Sequence, residues 1–219
     1  MFSGVIQHQA TVVEVRKQDA LIRLGLSSDL DVSDIQVGDS IAINGVCLTV
    51  VRFTTETPAL LYFDVGPETL QKTTLGALSV GQKVHAEKAM RLSDRLHGHL
   101  VQGHVDGKGT LTNRKFEGES LRLSFRCPAP ILRLCIPKGS IAIDGISLTI
   151  NEIHADRFDV CLIPHTLEKT SLGNYPVGHE VNLENDLIGK YVERLVAPHH
   201  IAKSDITMDL LSKSGFVQC

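Results

Sequence analysis

No apolar run in these 219 residues approaches the roughly 20 that a bilayer-crossing helix needs, so no membrane-spanning segment is expected. The opening Met1-Phe2-Ser3-Gly4 leads straight into a strand-like pattern, with neither a basic n-region nor a long apolar h-region, which points to a cytoplasmic product. An excess of one charge is also missing. Lys plus Arg number 22 against 25 Asp plus Glu, a formal charge of −3, which leaves no electrostatic footprint for nucleic acid or an anionic membrane. The five cysteines (Cys47, Cys127, Cys135, Cys161, Cys219) are odd in number, scattered and never spaced as CxxC. That fits reduced thiols and argues against a disulfide framework or a structural zinc. Neither a GxGxxG nor a GxxxxGK[ST] pattern occurs, so no nucleotide phosphate loop is indicated. What is present is an ordinary globular composition, 42% hydrophobic and 21% charged, with length for one large domain or two of about 100 residues.

The informative feature is an internal repeat. Ser40-Ile41-Ala42-Ile43-Asn44-Gly45-Val46-Cys47-Leu48-Thr49-Val50 returns as Ser140-Ile141-Ala142-Ile143-Asp144-Gly145-Ile146-Ser147-Leu148-Thr149-Ile150, with seven of eleven positions identical. Glu68-Thr69-Leu70-Gln71-Lys72-Thr73 recurs as His165-Thr166-Leu167-Glu168-Lys169-Thr170, and Val80-Gly81 as Val177-Gly178. Even the openings echo, Gly4-Val5-Ile6-Gln7 against Gly103-His104-Val105-Asp106. The matches keep their order at offsets of 97 to 100 residues, as small insertions in a duplicated domain would leave them. One copy is placed at residues 1–97, the other at 98–187, and a tail at 188–219.

Each copy contains short β-branched runs punctuated by Gly, Asp and Pro, in the first copy Ala10 to Val15, Ser40 to Ile43, Leu48 to Phe53, Leu60 to Val65 and Lys83 to Glu87. The only helical stretch expected in each is brief, Glu68 to Thr73 and His165 to Thr170. Without the crossover helices that parallel strands require, the pattern predicts a mainly β protein of two tandem, homologous Greek-key barrels. Leu187, Ile188, Tyr191, Val192, Leu195 and Val196 then fall at helical spacing, predicting a C-terminal amphipathic helix that Pro198 ends. Its apolar stripe must be covered either by its own domain or by a neighbouring chain.

The copies diverge where reactivity matters. Cys47 becomes Ser147, Gly38 becomes Lys138, Ala89 becomes Asp186, and His104 enters the second opening motif, so one copy gains four polar types suited to proton transfer and positioning. The competing reading makes Ser147 and Asp186 turn or cap residues, Lys138 a solvated charge and His104 a strand-edge residue. Cys47 is either a thiol nucleophile or a packing residue. His97, His99 and His104 suggest a zinc cluster only superficially, because a catalytic site also needs a supporting shell, and no metal is expected.

These motifs resemble the riboflavin synthase family. Met1-Phe2-Ser3-Gly4-Val5-Ile6 is similar to its MFTG opening, Asn44-Gly45-Val46-Cys47-Leu48-Thr49-Val50 to its NGxCLTV segment, and Gly98 to Asp106 to its GGHxxxGHVD motif; the resemblance runs to about residue 197. It implies that two molecules of 6,7-dimethyl-8-ribityllumazine dismute by four-carbon transfer, giving riboflavin and 5-amino-6-ribitylamino-2,4(1H,3H)-pyrimidinedione, with no cofactor. It also implies a homotrimer in which the first barrel of one subunit faces the second of another, and an association with lumazine synthase. Carried over by motif, the first pocket uses Gly4, Val5 and Ile6, then Cys47, Leu48 and Thr49, then the run Asp64, Val65, Gly66, Pro67, Glu68, Thr69. The second uses Gly103, His104 and Val105, Lys138, then Ser147, Leu148 and Thr149, then Cys161, Leu162, Ile163, Pro164, His165 and Thr166. The chemistry is assigned to Ser147, His104, Lys138, Asp186 and Cys47, with His104 as base. A binding-only lumazine or flavin antenna is the alternative; a flavin reductase barrel lacks the accompanying nicotinamide domain.

Overall fold

A computed structural model describes residues 1–196 and 212–215; Pro198 and Cys219 lie outside the described residues. The strands β1 (His8–Gln18), β2 (Leu21–Ser28), β3 (Ser40–Ile43), β4 (Val46–Phe53), β5 (Ala59–Val65) and β6 (Lys83–Lys88) close into an antiparallel barrel in the order β1-β2-β5-β4-β3-β6. The strands β7 (Gly107–Glu117), β8 (Ser120–Arg126), β9 (Ser140–Ile143), β10 (Ile146–Ile153), β11 (Arg157–Leu162) and β12 (Glu180–Asn185) close a second one in the same order. The chain is thus mainly β, a repeated closed barrel followed by a C-terminal helix. Closure leaves neither sheet an unpaired edge.

Alternation along the strands builds the cores. β4 and β10 share one pattern of inward and outward residues position by position, so the duplication extends to packing. Leu24, Leu26, Ile41, Val50, Leu61 and Phe63 fill the first barrel; Leu111, Leu123, Phe125, Ile141, Ile150 and Phe158 fill the second. Register shifts after Val12 and Val50, and after Leu111 and Ile150, bend the strands at equivalent places.

The short helices α1 (Pro67–Lys72) and α3 (Pro164–Lys169) each begin at a proline and stop at a threonine, Thr73 or Thr170, whose hydroxyl turns back onto the preceding turn. Two elements differ from the sequence-based expectation. β2 does not follow from the sequence pattern, because Leu21-Ile22-Arg23-Leu24-Gly25-Leu26 is leucine-rich with an internal glycine and carries no strand period. The second barrel also holds an extra helix, α2 (Ala129–Leu134), started by Pro128 and Pro130, so α3 is not its only one. The helix that follows β12, α4 (Leu187–Val196), is tied down by Lys190 to Asp106 (2.7 Å) and by Arg133 of α2 to Glu193 (2.5 Å). Ile188, Tyr191, Val192, Leu195 and Val196 remain exposed.

The barrels meet through reciprocal contacts. The β3–β4 and β9–β10 turns, Asn44-Gly45 and Asp144-Gly145, have positive φ throughout, as two-residue hairpins require. They abut so closely that a Cβ on Gly45 would lie 2.5 Å from the Gly145 nitrogen. On one side Phe2, Ala42, Val101 and Ala142 form a small apolar seam with Cys47 packed against it. On the other, Asn182 Nδ2 donates to the Asn44 carbonyl (2.8 Å), while its Oδ1 accepts from the Thr74 N–H (2.8 Å). His85, its counterpart, does the same in the opposite direction: Nδ1 lies 3.1 Å from the Asp144 carbonyl and Nε2 accepts from the Ser171 N–H (3.0 Å). A carbonyl can only accept, so His85 is the neutral Nδ1–H tautomer.

Candidate active site

Cys47 on β4 and Ser147 on β10 are half-buried and pair across their hairpins with Ala42 and Ala142. What covers each comes from the opposite copy. The Ser147 N–H donates to the Gly4 carbonyl (2.8 Å), and the Cys47 N–H donates to the Gly103 carbonyl (2.9 Å). Phe2 and Val101 bond to each other in both directions, N to O at 2.7 and 3.1 Å, where the two segments cross. Residues ahead of β1 therefore run onto the second barrel, where Ile6 joins the core, and residues ahead of β7 run onto the first, where Val105 joins its core.

The crossing places the opening segments differently from the grouping by motif. Gly4, Val5 and Ile6 belong with Ser147, and Gly103, His104 and Val105 belong with Cys47. The two glycines make the crossing possible. Gly4 and Gly103 have φ of +77° and +81°, and a Cβ on either would lie 2.6 Å from the Cβ of Ser147 or Cys47 respectively. The four polar residues expected in one copy are accordingly divided, since His104 follows the glycine over Cys47.

Ser147 has a partner that the sequence reading did not assign to it. Its Oγ lies 2.7 Å from Nδ1 of His99, a buried residue whose Nε2 has no hydrogen-bond partner among the described residues. Burial pulls the His99 imidazole below its ordinary pKa, and the Asp186 carboxylate pulls it partly back, so the ring is neutral near pH 7 and able to take a proton. Gly98 lets the backbone beside His99 pass close to Ser3 and Ser147, because a Cβ there would stand 2.1 Å from the Ser3 carbonyl oxygen and 2.9 Å from Ser147 Oγ. Comparing the copies does not single out His99, which lies ahead of the repeated opening motif Gly103-His104-Val105-Asp106.

The other expected residues differ in exposure and partners. Asp186 caps α4, its Oδ1 accepting from the Ile188 N–H (2.9 Å), while its charge acts on His99. Lys138 is exposed in a left-handed turn (φ +67°) equivalent to that of Gly38, four residues before Ala142 on the strand opposite Ser147, roughly 13 Å along the backbone. His104 is exposed, and His97, His99 and His104 are not gathered into a ligand set among the described residues. Leu48, Val65, Leu148 and Leu162 point into the cores and can address a ligand only through backbone groups. Thr49, Thr149, Pro67, Ile163, Pro164 and His165 are exposed, and Gly66, Thr69, Cys161 and Thr166 half-buried. Asp64 is held by Arg23 (2.6 and 2.9 Å), and Glu68 pairs with Lys72 (2.7 Å).

Two like barrels, each presenting a strand-end thiol or hydroxyl beneath a crossing glycine segment, define a duplicated binding protein for a small ligand. The lumazine binding domain family matches residues 3–89 and again 102–186. The chain is 38% identical to the riboflavin synthase of Actinobacillus pleuropneumoniae over 218 residues, 99% of this chain and 100% of that protein. It is 42% identical to that of Mycobacterium tuberculosis over 202 residues, 90% and 98% respectively. Among solved structures, LumP complexed with 6,7-dimethyl-8-(1'-D-ribityl) lumazine superposes with a TM-score of 0.74 at 27% identity, covering 84% of this chain and 99% of LumP. LumP complexed with riboflavin gives 0.77 at the same identity and coverage. The chain belongs to the riboflavin synthase family.

Proposed function

We propose that the protein is a riboflavin synthase that dismutes two molecules of 6,7-dimethyl-8-ribityllumazine, one giving four carbons to the other, to form riboflavin and 5-amino-6-ribitylamino-2,4(1H,3H)-pyrimidinedione. The two substrates together contain the atoms of the two products, so neither oxidant nor reductant enters. The reaction makes identical molecules play unlike roles, and two pockets of one architecture with different reactive groups suit it. The observation that carries the reading is the asymmetry between them: Ser147 Oγ lies 2.7 Å from Nδ1 of the buried His99, whereas its counterpart Cys47 is a thiol that packs against the apolar seam.

In this reading each ring lies over the end of a β3–β4-type hairpin. One sits between Gly4 to Ile6 and Ser147 to Thr149, with Cys161 to Thr166 at its flank; the other sits between Gly103 to Val105 and Cys47 to Thr49, with Asp64 to Thr69 at its flank. The Thr49 and Thr149 hydroxyls and the strand-end backbone meet the polar edges of the rings. Lys138 touches the same ligand as Ser147 only if that ligand lies along the hairpin, as a ring bearing a five-carbon polyol does. His99 and Ser147 move the proton that leaves the acidic C7 methyl group, Asp186 tunes His99, and His104 serves the Cys47 side.

The division into units at 1–97, 98–187 and 188–219 is retained, with residues 2–6 completing the second unit's pocket. The exposed face of α4 is assigned to subunit contact in a homotrimer, which brings the first barrel of one chain opposite the second of another. Association with lumazine synthase and a cytoplasmic location complete the proposal; among the described residues no helix is long and apolar enough to cross a membrane.

The binding-only alternative draws on the likeness to LumP. Purified protein mixed with the lumazine alone decides between them. Riboflavin fluorescence appearing at one product per two substrates, without nicotinamide, is expected. Bound lumazine with no turnover would leave the antenna.

A further inference from the structure

We propose that Glu87 and Glu184 are positioning residues for the two pockets, and that each serves the pocket of the barrel to which it does not belong. The two occupy equivalent places near the ends of β6 and β12, and both are buried, at 2% exposure each. Among the described residues neither takes part in an ion pair.

Their partners are backbone donors of the crossing segments. Glu87 Oε1 accepts from the Ser3 N–H (2.8 Å) and the Ser3 hydroxyl (2.7 Å), and its Oε2 accepts from the Gly4 N–H (3.1 Å). Glu184 Oε1 accepts from the Gln102 N–H (2.7 Å), and its Oε2 from the Gly103 N–H (2.9 Å). The next bond in each chain leaves the barrel: Gly4 holds Ser147 and Gly103 holds Cys47 through their carbonyls. Glu87, in the first barrel, thus fixes the segment that lies on Ser147 in the second, and Glu184 fixes the one on Cys47 in the first.

A buried carboxylate that forms no salt bridge among the described residues, with only the Lys190 charge acting on Glu184 from further off, is a costly way to fill space, and a packed apolar side chain would do it better. Holding two successive N–H groups of a tight turn, however, needs an acceptor on both oxygens of one side chain, which among neutral side chains of this size none offers. Glutamine would keep one bond and turn an NH2 group toward the other donor. The double grip matters because Gly4 and Gly103 pass within contact distance of the residues they cover, so a small displacement of either segment opens or blocks its pocket.

The inference rests on the lumazine reading above, and its test separates the two. Lumazine and riboflavin binding to the full chain is measured by calorimetry for wild type, for Ser147→Ala and Cys47→Ala as markers of the two pockets, and for Glu87→Gln and Glu184→Gln. Glu87→Gln is expected to weaken by about tenfold or more the same site that Ser147→Ala weakens, leaving the other within about twofold, and Glu184→Gln to do the reverse. Glu87→Gln combined with Ser147→Ala should be little worse than the weaker single variant at that site. Ser3→Ala removes one of the three Glu87 contacts and should give a smaller loss at the Ser147 pocket alone, which carries the test if a glutamine variant does not fold. Each glutamate affecting its own barrel's pocket, both pockets equally, or neither would overturn the proposal. A wild-type chain that binds no lumazine would instead overturn the lumazine reading.

Discussion

Ser147 and His99 are the pair on which the chemistry is placed, and removing either tests that placement. Ser147→Ala or His99→Ala should lower turnover by about 100-fold or more, the usual contribution of a positioned acid or base, while leaving the far-UV circular dichroism unchanged. His104→Ala should cost less. Turnover within a few-fold of wild type in both Ser147→Ala and His99→Ala would remove them from the mechanism.

A second pair governs the seam, and its members respond to pH in opposite senses. Burial pushes Asp144 up from 3.8 to about 7, although the Asn182 N–H and the Tyr175 hydroxyl on its oxygens oppose the shift. The folded chain therefore holds a proton there that the unfolded chain releases, and the stability this gives is lost as pH rises from about 4 through 7. Burial holds His85 down at about 4 against an ordinary 6.5, so its contribution is full above about 6.5 and lost as pH falls toward 4. Asn44, which stands where the second copy has Asp144, supplies the control. Asp144→Asn should melt several degrees above wild type at pH 8, with the gap closing toward pH 5, at roughly 2–4 °C per kcal/mol for a chain of this size. A gap that does not change with pH, measured by thermal melts across that range, would show that the carboxyl does not titrate in this window.

Among the elements, those legible in the sequence are those the repeat marks twice. β3, β4, β9, β10, α1 and α3 follow from runs that recur with their turn glycines and prolines, and α4 follows from its stripe. β2 and α2 do not, the first because leucine serves helix and strand alike, the second because a six-residue helix between prolines has no period to read. The crossing of the segments ahead of β1 and β7 was equally out of reach. An internal repeat says that Gly4 corresponds to Gly103, but correspondence within copies does not say which copy either one covers. α4 yields its own prediction. Five large apolar residues left in water on a ten-residue helix need a partner surface, so Ile188→Glu together with Leu195→Glu should turn a trimer into monomers in sedimentation, while each barrel stays folded. A full-length wild type that already sediments as a monomer would contradict the assignment.

The whole molecule behaves as a pair of barrels that complete each other. Abutting hairpin turns, the seam around Phe2 and Val101, and the reciprocal bonds of His85 and Asn182 fix their relation, and the crossing glycines make each pocket depend on both copies. Neither barrel covers its own Cys47 or Ser147, because the segment that lies over each comes from the other copy. The most direct measurement is a crystal structure of the chain with bound 6,7-dimethyl-8-ribityllumazine. One ring is predicted between Gly4–Ile6 and Ser147–Thr149 and a second between Gly103–Val105 and Cys47–Thr49, the two meeting face to face across a subunit boundary. A ring gripped jointly by Gly4 and Cys47, or rings too far apart in every assembly to touch, would contradict the account.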